Sequence, residues 1–193
     1  MARRTDIVLS QKMICDAALE IIDTNGVDAL TMRSLAKTLK VQAPSLYAHY
    51  RDKSELMSDL AAHHFSEAQN AVYEWASAEE WLRKFGFTLY NVLKTRRDAA
   101  RVFAFSQPPI RSEVVTAEIA ATPLTDAGYS FNTAIEMQAA VIALAMGMAL
   151  DHSHEGTSAY LKRFFDLDQA FKTALFALVN GLVKHAPETA QGA

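Results

Sequence analysis

The sequence holds a single cysteine, Cys15, so it cannot close an intramolecular disulfide and offers neither a CxxC pair nor a multi-cysteine zinc site; a reducing cytoplasm is the expected compartment. Its seven glycines are scattered and form no GxGxxG or GxxxxGK[ST] loop, and HExxH and GxSxG are absent as well. Dinucleotide, P-loop, zinc-protease and serine-hydrolase chemistry therefore lack their usual signatures. Paired carboxylates such as Glu79-Glu80 fall at a helix start, where acidic side chains complement the dipole. No enzyme is expected, and no cofactor. An overall basic charge is also missing: 19 Lys and Arg stand against 22 Asp and Glu, a net charge of -3. The longest uncharged run in the apolar second half, Met137 to Leu150, has 14 residues, short of the roughly 20 that span a bilayer, so it predicts a buried helix and no membrane. The opening Met-Ala-Arg-Arg-Thr-Asp is followed by no apolar core of a signal peptide.

What is present is a local contrast in charge. Residues 1–53 carry eight basic against six acidic side chains, the remainder eleven against sixteen, and within 31–53 the tally is five to one. Apolar residues recur at helical spacing almost throughout, without strand-like alternation, which predicts an all-α fold. A first helix runs from an N-cap at Ser10 along Ile14, Ala17, Ala18, Ile21 and Ile22 to Gly26, placed for a left-handed C′. A second starts at Thr31, buries Leu35, Ala36 and Leu39, and stops near Lys40. A third begins at Pro44, whose fixed φ suits a first turn, and ends near Tyr50. Asp52 and Glu55 then form a capping-box variant opening a fourth helix that continues to about Trp75.

Further helices are predicted near 78–95, 98–105, 111–127, 131–152 and 166–185, separated at Pro108-Pro109, Gly128 and Gly156, with Pro123 kinking or splitting the third of these. The expected division is a compact three-helix head up to about residue 51 joined by the fourth helix to a larger, acidic helical body; as domains these take residues 8–65 and 66–185, with a disordered tail over 186–193.

Two short helices joined by a brief turn, the second opening with small and polar residues, have the layout of a helix-turn-helix. A duplex major groove about 12 Å wide admits one helix, read through its N-terminal side chains. In Ala43-Pro-Ser-Leu-Tyr-Ala-His-Tyr50, Leu46 and Tyr50 lie four apart and face the core, leaving Pro44, Ser45, Tyr47 and His49 for groove and phosphates. Arg33 is able to fork onto a guanine edge, and Lys53 and Thr31 suit phosphates. On spacing alone, the same residues equally describe the solvated surface of any three-helix bundle.

The run Thr31-Met-Arg33-Ser-Leu35-Ala36 through Val41, Pro44-Ser-Leu46-Tyr47-Ala-His49-Tyr50 and Lys53-Ser-Glu-Leu56 resembles the DNA-binding head of the TetR family of transcriptional repressors, over roughly residues 8–65 without a gap. The resemblance implies that Arg33, Gln42, Ala43, Pro44 and Ser45 face bases and that Thr31, Tyr47, His49 and Lys53 hold phosphates. One departure stands out: Lys40 occupies the turn where the family has glycine, which asks either for a strained φ or for an altered turn. Ala43 is small where the tetracycline repressor has a polar base contact, which implies a different operator.

Arg97-Asp98-Ala-Ala-Arg-Val-Phe103, Leu124-Thr-Asp-Ala-Gly128-Tyr-Ser130 and Met146-Gly-Met-Ala-Leu-Asp151 resemble parts of the tetracycline repressor's ligand-binding domain. By that alignment Phe103 replaces a metal-ligating histidine, Phe85 a drug-binding asparagine, and Gln69 falls near a second drug-binding histidine. A phenyl ring cannot coordinate a hard cation. The resemblance therefore implies a small-molecule inducer that is largely apolar and not a tetracycline–Mg²⁺ chelate. Candidate pocket walls are Gln69, Phe85, Leu89, Phe103, Phe105, Gln107, Met137 and Val141, although aromatics and methionines at helical spacing also describe plain core.

The 131–152 helix is apolar around most of its circumference (Ala139, Ala140, Ala143, Ala145, Gly147, Ala149), and 166–185 offers Phe171, Leu175, Leu178 and Leu182. A helix apolar all round needs cover on every side. The resemblance implies a homodimer through a four-helix interface, presenting two reading helices to a pseudo-palindromic double-stranded DNA operator; the centre of a monomeric bundle is the alternative. Asp151-His152-Ser-His154-Glu155 is the cluster richest in metal-ligand types, but its histidines lie two apart on different helical faces, as ill placed for one ion as the adjacent His63-His64; a solvated helix end without metal is expected.

Overall fold

The computed structural model describes residues 9–106 and 117–186, and within them the chain is helical with no strand. Its elements are α1 (Gln11–Asn25), a 3-10 turn (Val27–Ala29), α2 (Met32–Leu39), α3 (Ala43–Tyr47), α4 (Lys53–Asn70), α5 (Ala78–Thr95), α6 (Ala99–Phe105), α7 (Ala117–Thr125), α8 (Phe131–Ser153), α9 (Glu155–Leu161) and α10 (Leu167–His185). Gln107, Pro108-Pro109, the start of the 111–127 element and the tail beyond Ala186 lie outside the described residues.

The head begins where Ser10 Oγ accepts the Met13 amide at 3.2 Å. α1 then buries Ile14, Ala17, Ala18, Ile21 and Ile22. Gly26 has the expected positive φ, 86°, but ψ is 163°, so the chain leaves α1 extended instead of through a left-handed helical cap and enters the 3-10 turn. Thr31 caps α2 in a reciprocal box with Ser34: Thr31 Oγ1 accepts the Ser34 amide at 3.0 Å and Ser34 Oγ accepts the Thr31 amide at 2.9 Å. At Asp52 the expected reciprocity shifts by one residue. Asp52 Oδ1 accepts from the Glu55 amide at 2.9 Å, while Glu55 Oε2 reaches back to the Arg51 amide at 2.6 Å. Leu30, Leu35, Leu46, Tyr50, Leu56 and Leu60 close the head's core.

α4 leaves the head and enters the body. It ends at Asn70, not near Trp75; Val72 still packs into the body core from a turn, whereas Tyr73 and Trp75 face outward. In the body α5 is central, burying Trp81, Leu82, Phe85, Leu89 and Leu93 against α4, α8 and α10. Complete burial of a phenylalanine such as Phe85 or Phe171 contributes roughly 2–3 kcal/mol. Gly86 makes the approach possible: a Cβ there would meet Val141 Cγ1 at 2.7 Å and Leu175 Cδ1 at 2.8 Å. The Asp168 carboxylate at the start of α10 accepts from Tyr90 Oη at 2.8 Å and Lys94 Nζ at 2.6 Å, fixing α10 to α5.

By length and composition α8 is able to cross a membrane. Here it lies packed on α5, α6, α7 and α10, burying Ala134, Met137, Val141, Ala145 and Ala149. Its opposite side is uncovered: Ala139, Ala143 and Gly147 are exposed. α10 buries Phe171, Leu175 and Val179, with Leu178 and Leu182 half-buried beside them.

Pro123 lies inside α7, which neither splits nor stops there. Proline has no amide hydrogen to return to the Ile119 carbonyl four residues back. Gln69 of α4 supplies that hydrogen, its Nε2 donating to the Ile119 carbonyl at 3.2 Å and to that of Ala120 at 3.3 Å. Two elements were not foreseen, the 3-10 turn and α9. His154 caps α9, its Nδ1 accepting the Thr157 amide at 3.2 Å.

Candidate functional site

α3 opens at Gln42, whose side chain makes no capping bond, and Pro44 in the first turn has no amide hydrogen to satisfy. Leu46 and Tyr50 are buried as their spacing predicts. The opposite face is open: Gln42, Pro44 and Ser45 are exposed and Tyr47 is 53% exposed. Arg33, in the first turn of α2, and Thr31 are exposed on the same helix pair, and Ala43, His49 and Lys53 are half-buried at its margin. Ala43 rests partly on the head core.

Two of these side chains already have partners. Thr31 Oγ1 donates to Ser34 Oγ at 3.0 Å within the capping box, and Lys53 Nζ donates to the Val27 carbonyl at 3.4 Å. Lys37 and Thr38 are exposed on α2, the helix that carries Arg33, and were not singled out from the sequence; Lys40 is exposed at the C-cap of the same helix. Lys40 answers the question its identity raised, adopting the left-handed conformation at φ 55°, ψ 35° with its amide bonded to the carbonyls of Ala36 and Lys37. A non-glycine residue there carries strain.

The body grips the head through the turn between α5 and α6. Asp98 has φ 55°, the second such non-glycine residue among those described. Its Oδ2 accepts the Val27 amide at 2.8 Å, Arg97 Nη1 donates to the Thr24 carbonyl at 2.6 Å, and Arg101 pairs with Asp28 at 3.3 Å and Asp98 at 3.1 Å. Burial works against the charge on Asp98, but the Val27 amide and the Arg101 guanidinium outweigh it and hold its carboxyl below the usual range. From α6, Ser106 Oγ donates to the Met57 carbonyl of α4 at 2.9 Å. Arg96 Nη2 bonds Glu67 of α4 at 3.1 Å. Sequence reasoning found Arg97, Asp98 and Arg101 only as a family likeness, because Thr24, Val27 and Asp28 lie some seventy positions away; Arg96 and Ser106 it missed.

Of the residues expected to wall a ligand site, Phe85, Leu89, Met137 and Val141 are together in the body core, with Phe103 packed half-buried against it. Phe85 stacks on Trp81 at 4.9 Å between ring centroids and meets Phe65 edge-on at 5.3 Å. Phe105 differs from expectation: it is 80% exposed on α6, so it does not face this core. Gln69 borders the core but its amide is held by α7, where Gln138 Nε2 from α8 also donates to the Ala120 carbonyl at 2.5 Å. Gln107 is outside the described residues. Two polar groups that the sequence reading did not offer as part of a ligand site, Trp81 Nε1 and His64 Nδ1, are buried without a hydrogen-bond partner among the described residues. Burial, with the nearby Arg96 guanidinium adding to it, lowers the His64 pKa to about 4, so the ring is neutral at pH 7.

His152 sets its ring edge-on to Tyr90 at 6.5 Å, and His154 serves the α9 cap. No three His, Cys, Asp or Glu side chains come together as a metal site among the described residues.

Residues 14–60 match the family model described as bacterial regulatory proteins, tetR family. The chain is 30% identical over 160 residues to the class D tetracycline repressor protein of Escherichia coli, covering 80% of this chain and 71% of that one. Among solved structures, a variant of TetR from Acinetobacter baumannii AYE in complex with minocycline superposes with a TM-score of 0.75 at 28% identity, over 95% of this chain and 98% of that one. The Streptomyces coelicolor TetR family protein ActR in complex with (S)-DNPA also gives 0.75, at 25% identity over 93% of this chain and 100% of the other. With an exposed helix face on a head that is bonded to a separate apolar body, the chain belongs to the tetR family of bacterial regulatory proteins and is a ligand-responsive, DNA-binding transcriptional regulator.

Proposed function

We propose that the chain is a repressor that two copies together hold on a pseudo-palindromic operator, and that a small, largely apolar molecule releases it. The observation that carries this reading is the two-sidedness of the α3 segment: Leu46 and Tyr50 anchor it in the core while Pro44, Ser45 and Tyr47 are exposed. On this reading Arg33, Gln42, Ala43, Pro44 and Ser45 read base edges, and Thr31, Tyr47, His49 and Lys53 grip phosphates. Thr31 does so by turning its hydroxyl from Ser34, and Lys53 by giving up a long bond to Val27. The work is binding, in the cytoplasm where the chromosome lies, and no catalysis is involved.

Two reading segments about one duplex turn apart require a dimer. The uncovered strip Ala139, Ala143 and Gly147 of α8, beside exposed Ala177 and half-buried Gly181 of α10, lets a second copy approach closely with little side chain to displace. For release, the inducer must prefer the DNA-incompetent form by about 5.5 kcal/mol to swing the population from 1:99 to 99:1.

The inducer's character follows from the body. Phe85 is fully buried and Phe103 half-buried against the same core, and neither ring offers a ligand to magnesium. Minocycline in the Acinetobacter relative is thus a guide to where a compound sits, not to which one. The test is a mobility-shift titration on the DNA upstream of the chain's own gene: binding that weakens steeply with salt and is lost in Arg33→Ala and Tyr47→Ala supports the reading, while a folded protein that ignores the fragment at low salt defeats it. Magnesium-dependent quenching of tetracycline fluorescence at micromolar protein would overturn the apolar-inducer assignment alone.

A further inference from the structure

The head's core is almost entirely aliphatic, and the attraction that buries it is non-directional. One directional feature runs through it. Tyr50, three residues past the end of α3 and 1% exposed, donates its hydroxyl to Asp59 Oδ2 of α4 at 2.8 Å, and the same oxygen lies 3.2 Å from Cys15 Sγ of α1. With the tyrosine proton given to a carboxylate, the cysteine S–H is the donor to the tyrosine oxygen. One phenol thereby joins three elements: the reading segment, α1, and the helix that enters the body. We propose that Tyr50 and Asp59 are positioning residues for DNA recognition, fixing the angle of α3 on α4 so that a movement of α4 is delivered to the reading face.

Three observations support this. First, α3 has only five residues, too few to hold its own orientation, and its buried contacts are Leu46 and then Tyr50. Secondly, the Tyr50 amide also bonds the Leu46 carbonyl at 2.9 Å, so the ring is continuous with the turn that ends α3 and a pull on the hydroxyl is a pull on that turn. Thirdly, Asp59 lies on α4 two residues beyond Met57, whose carbonyl accepts from Ser106 of α6. The body's grip on α4 and the grip of α4 on the reading segment are therefore within one helical turn of each other. A hydrogen bond to a carboxylate is short-ranged and angular, so it adds a directional constraint to the packing of Leu46.

This inference rests on α3 being the reading element, and the experiment separates the two ideas. Operator affinity of the full-length protein is measured on the duplex that the unmodified protein enriches from a randomised pool, for Tyr50→Phe, Asp59→Ala, Asp59→Asn, the Tyr50→Phe/Asp59→Ala double variant and Tyr47→Ala, alongside thermal unfolding. Tyr50→Phe keeps the ring in the core and removes only the tether, so it should bind about tenfold more weakly at a temperature where all variants are folded. Asp59→Ala should match it, the double variant should be no worse than either, and Asp59→Asn, which still accepts from the hydroxyl, should retain most of the affinity. Tyr50→Phe that binds like the unmodified protein, or single losses that multiply in the double variant, overturns the coupling, as does a fall in melting temperature with affinity unchanged. Tyr47→Ala that keeps full affinity removes the reading element itself.

Discussion

Asp98 Oδ2 accepts the Val27 amide at 2.8 Å, so a carboxylate of the body caps the 3-10 turn of the head. Asp98 reaches this position with a left-handed backbone at φ 55°, a conformation that costs roughly 1–2 kcal/mol outside glycine. Aspartate tolerates it better than most residues, and the bond offsets the strain. Asp98→Asn should therefore keep the backbone and a weaker acceptor, while Asp98→Ala keeps neither and should loosen head from body. The measurement is inducer-driven release at fixed operator affinity: a reduced response in Asp98→Ala and a nearly normal one in Asp98→Asn. The carboxyl is held below its usual range when folded, so its contribution is present above pH 4 and declines as pH falls through the folded value. Head and body should uncouple in acid before the body unfolds.

Lys40 occupies the other strained position, φ 55° in the turn before α3. Lys40→Gly removes the strain at some entropic cost in the unfolded chain, for a net gain of about 1 kcal/mol. A melting temperature higher by roughly 2–4 °C is expected. A lower one would mean that the lysine side chain contributes more to the turn than its geometry indicates.

Gln69 and Pro123 form a compensating pair, since the glutamine donates to the Ile119 carbonyl, to which proline has no amide hydrogen to give. Gln69→Ala should cost about 1–2 kcal/mol by denaturant titration. In a Pro123→Ala background the restored amide takes over and the same substitution should cost markedly less. Equal costs in both backgrounds would show that the two residues act independently.

His64 is buried neutral with its pKa lowered to about 4, chiefly by burial and then by Arg96. The unfolded chain takes up this proton near pH 6.5, the folded chain only near 4, so between these values the unfolded state binds more protons and stability falls as pH falls. The full effect is about 3 kcal/mol, lost between pH 6.5 and 4. Unfolding free energies of the unmodified protein and His64→Leu, measured across that window, should diverge, with the leucine variant losing less.

Much of this architecture was legible in the residues. Ser10, Thr31 and Asp52 each cap a helix through their own oxygens, and the stripe Trp81, Phe85, Leu89 sits on one buried face of α5, because caps and helical periodicity are local signals. The open face of α3 followed from the four-residue spacing of Leu46 and Tyr50. What stayed illegible depends on distant partners. The end of α4 could not be placed because Val72 continues its apolar pattern from outside the helix. α9 was hidden because histidine is a weak capping signal, and in sequence His154 reads as part of a polar cluster. Phe105 looked like a pocket wall because periodicity says nothing of which way a seven-residue helix turns its end. The bond from Gln69 to α7 opposite Pro123 joins residues fifty positions apart, which no local signal reveals.

The missing side chain at Gly86 has a final consequence. With Val141 and Leu175 pressed against bare backbone, α5, α8 and α10 interlock like the legs of a tripod, and none can slide past another without collision. A compound that wedges into the body finds no slack there. α4, α6 and α7, by contrast, are joined to their neighbours by polar side chains as well as by packing. If the proposed inducer enters the body, these polar ties, and not the α5–α8–α10 contact, are where the head is expected to feel it.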